Sequence, residues 1–206
     1  MLSTQTDLRL DKVRSRIERD PTCLFYREYN IPLRFRCKTF GNLQLENKNT
    51  YKNSLINGNS LFITGDVGVG KTHLAIALAI EYFLANLSFT NGITVKNKII
   101  NFLPASELFI ALKATFDNRE TERDILDFYS TSDLLILDDL GSNNISEWAK
   151  QIIYTIIDRS YRNMKAVIIT SNLSLDEFAV AYDDRIASRL VEMGEIIRLK
   201  GKDKRK

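Results

Sequence analysis

Residues 65 to 72 read GDVGVGKT, a G-x-x-x-x-G-K-T spacing that can grip a chain of phosphates. Glycines let the backbone wrap closely, so that successive N–H groups point at phosphate oxygens. Lys71 can reach the outer phosphates, and the Thr72 hydroxyl can ligate a divalent cation. Gly65, Asp66, Val67, Gly68, Val69 and Gly70 complete the candidate loop. Further along, LLILDDL (134–140) ends an apolar run in two acids. Asp138 is suited to hold Mg²⁺ through its water shell, making a metal site with Thr72. Asp139 is suited to orient or deprotonate an attacking water. Asp is one methylene shorter than the Glu common at that second position, so slow turnover is expected. A third group follows in TSN (170–172), where Asn172, or Thr170 in its place, could touch a terminal phosphate. The plainer alternative there is a helix cap, which Ser174 fits best. Last, DDRIASRL (183–190) sets Arg185 and Arg189 four apart, on one face of a helix.

These residues need a frame. Short apolar runs of strand length recur at LFIT (61–64), KIINFL (98–103), DLLILD (133–138), AVIIT (166–170) and EIIRLK (195–200). Helical stretches separate them: 72–87 is almost continuously apolar, and in 145–163 apolar residues return at helical spacing. Alternating strands and helices predict an α/β fold, a five-stranded, mostly parallel sheet between helices. The phosphate loop then joins the first strand to the first long helix. The paired acids lie at the carboxyl end of another strand, at the same sheet edge. Ahead of the first strand, 7–19 reads as a short charged helix and 46–59 as a polar, Asn-rich stretch with a weak helical signal. The expected division is an N-terminal extension and connector over 1–45 and a nucleotide-binding domain over 46–206.

Composition narrows the class. No apolar run approaches the ~20 residues of a membrane helix. Cys23 and Cys37 lack the paired spacing of a zinc site. With a charged start and no leader pattern, a cytoplasmic protein without a membrane partner is expected. The tail RLKGKDKRK (198–206) carries six bases and one acid, compatible with a phosphate-backbone partner and equally with a solvated end.

A phosphate loop, a strand ending in paired acids, a polar strand tip and a late arginine pair are the set used by AAA+ ATPases. In those, Arg185 and Arg189 would serve the γ-phosphate held by a neighbouring subunit, stabilising developing charge. More closely, the sequence resembles the DnaC/IstB-type AAA+ ATPases, above all the bacterial and phage DnaC-like replicative helicase loaders. The matching residues are GVGKTHLA (68–75), DLLILDDLG (133–141), IIDRSYR (156–162), VIITSNLS (167–174) and RIASRL (185–190). The resemblance implies an AAA+ P-loop NTPase of the ASCE branch without a helical lid. It implies ATP and Mg²⁺ as ligands and an ATP-dependent oligomer that binds single-stranded DNA and a replicative DNA helicase. It makes Lys113, Phe116 and Ser146 the candidate DNA contacts, His73 a packing or capping residue beside the loop, and Arg205 in GKDKR a second nucleotide sensor. For Phe116 the plain alternative is core packing against Leu112. The grip on the helicase is expected to come from the charged helix at 7–20, or else to be lost, since only 64 residues precede the loop.

Three other readings share parts of this chemistry. An IstB-like transposition helper would assemble on double-stranded DNA. A small P-loop kinase would need a lid arginine cluster and an acceptor pocket, whereas these arginines follow the sensor strand. A non-hydrolysing nucleotide switch is kept open by Asp139.

Overall fold

The computed structural model describes residues 25–26, 29, 31–36, 38–43, 45–90, 93–96, 98–114, 119–141, 146–201 and 203 (backbone alone at 88–90, 93–96 and 119–122). The predicted helix at 7–19, Cys23, Cys37, Phe116 and Arg205 lie outside the described residues.

Five strands form one sheet: β1 (Ser60–Thr64), β4 (Ile100–Pro104), β5 (Leu134–Asp138), β6 (Ala166–Ser171) and β7 (Gly194–Arg198). Their order is β4-β5-β6-β1-β7, and every neighbouring pair is parallel. The sheet is thus wholly parallel, where the sequence predicted mostly parallel. The five apolar runs all become strands because each is short, bounded by polar residues and rich in Ile, Leu or Val, which suits burial on both faces. Side chains alternate between faces. Leu61, Ile63, Leu134, Ile136 and Ile168 join one core, while Phe62, Leu135, Leu137, Val167 and Ile169 join the other.

Helices cover both cores. On the first face lie α1 (Lys48–Ile56) and α2 (Lys71–Ala85). Ten of the fifteen α2 residues are buried, so this helix is held by packing rather than by one apolar stripe. Burying each large side chain, such as Leu74, Ile76 or Phe83, contributes about 1.5–3 kcal/mol. Phe25, Tyr26 and Ile31, from the predicted connector, are buried in this same core. On the second face lie α3 (Ala105–Lys113), α4 (Arg119–Ser130), α5 (Glu147–Arg162), α6 (Leu175–Ala181) and α7 (Asp184–Met193). Ser174 caps α6 in a reciprocal box with Glu177.

One element escaped the sequence reading. After α2, β2 (Leu87–Thr90) and β3 (Ile93–Lys96) pair as an antiparallel two-stranded sheet. The signal was present: Asn91-Gly92 separates two four-residue runs, a strong hairpin pattern. The apolar run leading into it masked the change of period.

Candidate functional site

The chain leaves β1 at Thr64, rounds the loop and enters α2 at Lys71. Gly70, the residue before α2, sits at φ 105°. Gly65 sits at φ 148°, and a Cβ there would come within 2.3 Å of the Leu199 carbonyl oxygen. Both positions therefore require glycine. The largely buried Lys71 ammonium donates to the carbonyls of Gly65 (2.7 Å) and Asp66 (2.9 Å), folding back over its own loop. Val69 is buried beneath the loop and Val67 is exposed.

Two places along the sheet, β5 delivers the acids. The Thr72 hydroxyl donates to Asp138 (2.9 Å to Oδ1, 3.1 Å to Oδ2), so the two expected metal ligands are in contact. Thr170, at the tip of the intervening β6, donates to Asp138 Oδ1 at 2.7 Å and accepts the Asp139 N–H at 2.8 Å. Thr170 is therefore buried between the acids and positions them. That leaves the exposed Asn172 as the polar strand tip, its amide oxygen 3.3 Å from where a Cβ on Gly141 would stand. Asp139 is exposed and held at φ 62°, a left-handed conformation that costs a non-glycine residue about 1–2 kcal/mol. The Thr170 bond to its N–H helps to hold it there. Nearby, Tyr182 donates to the Gly141 carbonyl at 3.0 Å. Burial, helped by the Asp139 charge, pushes that phenol up to about 12.

Asp138 is the electrostatic centre of this cluster. Burial raises its pKa, and the like charge of Asp139 adds to the shift. The Thr170 and Thr72 hydroxyls and the Lys71 charge pull the other way without cancelling it. A buried carboxylate with two hydroxyl partners and too little positive charge suits a hard cation that prefers oxygen donors. Thr72 and Asp138 would hold Mg²⁺, which when bound neutralises phosphate charge.

Beside the loop lies a cleft lined by Leu43, Leu45, Val69, Gly70, His73, Leu74, Arg198, Leu199 and Lys200. Leu43, Leu45, Val69 and Leu199 could meet a flat aromatic base there, beside the polar His73, Arg198 and Lys200. The sequence reading missed Leu43, Leu45 and Leu199, because only long-range packing brings them to the loop. His73 Nε2 lies 3.3 Å from the Thr39 carbonyl oxygen, tying the connector to α2. Asp203 lies against the loop: its carboxylate fills the space where a Gly68 side chain would stand, 2.0 Å from that Cβ position.

The arginines lie elsewhere. Asp183 caps α7, accepting the Arg185 N–H at 2.7 Å and pairing with the Arg185 guanidinium at 2.8 Å. That hydrogen bond to Arg185 holds the Asp183 carboxyl below its ordinary range. Arg185 lies 4.5 Å from the Tyr154 ring centre, and Arg189 lies 5.2 Å from the same ring. Arg189 also pairs with Asp158 of α5 at 2.6 Å. Among the described residues, neither arginine makes a hydrogen bond or ion pair with the phosphate loop of its own chain. Of the DNA candidates, Lys113 is exposed at the end of α3. Ser146 is the N-cap of α5, its hydroxyl oxygen accepting the Ala149 N–H, which accounts for the residue without a phosphate.

A parallel sheet with the loop strand between β6 and β7, and with β6 inserted between it and the acid-tipped β5, defines a P-loop NTPase of the AAA+ type. A family profile described as IstB-like ATP binding protein matches residues 52–206, and the chain belongs to that family, the DnaC/IstB-type AAA+ ATPases. The replicative helicase loader DnaC of Escherichia coli K12 is 27% identical over 132 residues, 64% of this chain and 49% of that protein. The crystal structure of a DnaC helicase loader superposes with a TM-score of 0.67 at 26% identity, covering 82% of this chain and all of the other. The crystal structure of DnaI, at 20% identity and a TM-score of 0.64 over 84% of this chain and 93% of the other, shares the fold. The chain spans about half the length of the DnaC relative it matches.

Proposed function

We propose that this protein is a DnaC-like helicase loader, a replication accessory ATPase that binds single-stranded DNA and the replicative helicase. It does so through ATP binding and slow, DNA-stimulated hydrolysis. The observation that carries the reading is the division of its chemistry between two faces. Lys71, Thr72, Asp138 and Asp139 gather at the sheet edge, while Arg185 and Arg189 sit on α7 against α5. One chain then binds ATP with Mg²⁺, and a second chain supplies the arginines, so hydrolysis requires self-association.

In this reading the phosphates lie along residues 65–72, with Lys71 on the outer ones. The base enters the cleft between Leu43, Val69 and Leu199. Asp139 orients the attacking water and Asn172 senses the terminal phosphate. Lys113, Phe116 and Ser146 meet the DNA, and Arg205 reports nucleotide state. The division at residue 45 belongs to the same proposal, with the charged stretch at 7–20 carrying the helicase contact, while Phe25, Tyr26 and Ile31 pack into the ATPase core. Likeness to DnaC supports the partner. No helix among the described residues is long and apolar enough to cross a membrane.

Mass photometry of the protein with its host's replicative helicase, in ATP and in ADP, tests this. A nucleotide-dependent complex is the expected result, and no complex in either nucleotide would overturn the helicase assignment. The IstB-like profile favours one alternative, a transposition helper assembling on duplex DNA. Stronger ATPase stimulation by duplex than by single strands would select it.

A further inference from the structure

The arginine face is built on a buried acid that the nucleotide chemistry does not use. On α5, Tyr154, Asp158 and Arg162 follow one another at i, i+4 and i+8 and so share one face. Arg185 and Arg189 do the same on α7. Where the rows meet, the Asp158 side chain is only 6% exposed and pairs with two guanidinium groups, Arg189 at 2.6 Å and Arg162. The Arg189 side chain is 23% exposed, whereas Arg162 is largely in solvent. Asp158 Oδ1 and Arg189 Nε are buried without an aligned hydrogen bond, so charge rather than hydrogen-bond geometry holds the contact. Tyr154 and Tyr161 flank the Arg189 guanidinium, at 5.2 and 5.6 Å.

We propose that Asp158 is the positioning residue for Arg189, holding it for delivery to the nucleotide of the adjacent subunit. This rests on the reading of Arg189 as the group that serves a neighbour's nucleotide. Two considerations favour positioning over plain structural pairing. A buried carboxylate needs one guanidinium for neutrality, and this one has two. When Arg189 leans toward an incoming phosphate, Arg162 keeps the acid paired. Second, an arginine carries much side-chain entropy, and fixing it before assembly removes that cost from the docking step. The tyrosines confine it further. Asp158 therefore acts on the neighbour's site and not on its own.

The test compares Asp158→Asn, Arg189→Ala and the double variant in ATP hydrolysis by the assembled protein on single-stranded oligonucleotide. ATP binding by the isolated subunit serves as the control for folding. Asp158→Asn should lower kcat by about tenfold or more with little change in KM for ATP. The double variant should be no slower than Arg189→Ala alone. Mixing Asp158→Asn subunits with Lys71→Ala subunits, which lack a working loop but keep Arg189, should restore hydrolysis at the mixed interfaces. Normal kcat in Asp158→Asn beside a slow Arg189→Ala would overturn the positioning role and leave the arginine reading intact. Loss that Lys71→Ala subunits do not rescue would show a structural role only, and also overturns it. Undiminished kcat in Arg189→Ala would remove the arginine reading itself, and this inference with it.

Discussion

Two buried aspartates, Asp138 and Asp158, are treated in opposite ways. Asp138, at the sheet edge, has two threonine hydroxyls, one lysine charge nearby and a second acid next to it in the chain. Asp158, on α5, is held by two arginines. The first acid has less positive charge than it needs, and burial raises its pKa. The second has more. A site short of positive charge is ready for a cation, and a guanidinium held beside a doubly paired acid can turn to an anion while the acid keeps its other partner. Placed against one another in adjacent subunits, the two would enclose a metal–phosphate group from both sides. A third acid, Asp133, calibrates the pair. At the opposite edge of the sheet it is met by Lys165 at 2.8 Å, Lys98 at 3.5 Å and the Ile99 N–H at 2.9 Å. Like Asp158 it has two cationic partners, so the number of partners does not by itself mark a site; Asp158 differs in holding a guanidinium that two tyrosine rings flank.

The comparison breaks most sharply at the two carboxylates themselves. Asp138→Asn should reduce ATP hydrolysis by about 10²-fold or more, as measured by phosphate release. Its melting temperature should hold or rise, because the variant removes an undercompensated buried charge. Asp158→Asn should behave the other way in a melt, losing about 3 kcal/mol, since it strands Arg189 in a largely buried position. Equal destabilisation by both would show that the two acids are not differently compensated. Next in size, Lys71→Ala removes a charge-assisted contact of about 1.5–3 kcal/mol, so ATP affinity in equilibrium titration should fall by about ten- to a hundredfold. Unchanged affinity would count against the loop assignment.

Two smaller effects sharpen the picture. The Asp203 carboxylate, the single acid in the basic tail, lies on the loop where phosphates would bind. Asp203→Asn should tighten ATP binding by about 1 kcal/mol, close to fivefold, with the effect fading as salt is raised. Weaker binding would mean that Asp203 supports the loop instead. For Asp133, burial pushes the carboxyl up, but the Lys165 hydrogen bond, the Ile99 N–H and the two lysine charges outweigh it and lower the pKa. A depressed pKa contributes stability that is present above the unfolded value and is lost as pH falls through the folded one. Asp133→Asn should therefore flatten the acid limb of the melting temperature against pH and change little else, by about 1 kcal/mol at neutral pH.

Much of the candidate site was legible in the sequence, because its parts are local. Residues 65–72 are contiguous, and Asp138 and Asp139 end one strand. Strand periodicity alone puts loop and acids at the same sheet edge. Ser174 was readable as a cap for the same reason. What stayed hidden depends on partners distant in sequence. Thr170 could have been a phosphate sensor or a support for the acids, and its choice follows from the β5–β6 pairing. The cleft walls at Leu43, Leu45 and Leu199 come from segments on either side of the domain. The β2–β3 hairpin was the exception, a local signal overlooked beside a long apolar helix.

For the arginines, the sequence by itself determined spacing and face, since four residues make about one helical turn. It could not determine direction. That is a matter of which helix α7 packs against, and the answer is α5, where Asp158 and Tyr154 wait one turn apart. Local chemistry determined what each group can do, through its type and its place in a strand, turn or helix. The tertiary structure decided which groups meet. Contact between residues distant in the chain is set by the packing of whole elements, and no short stretch of sequence contains it.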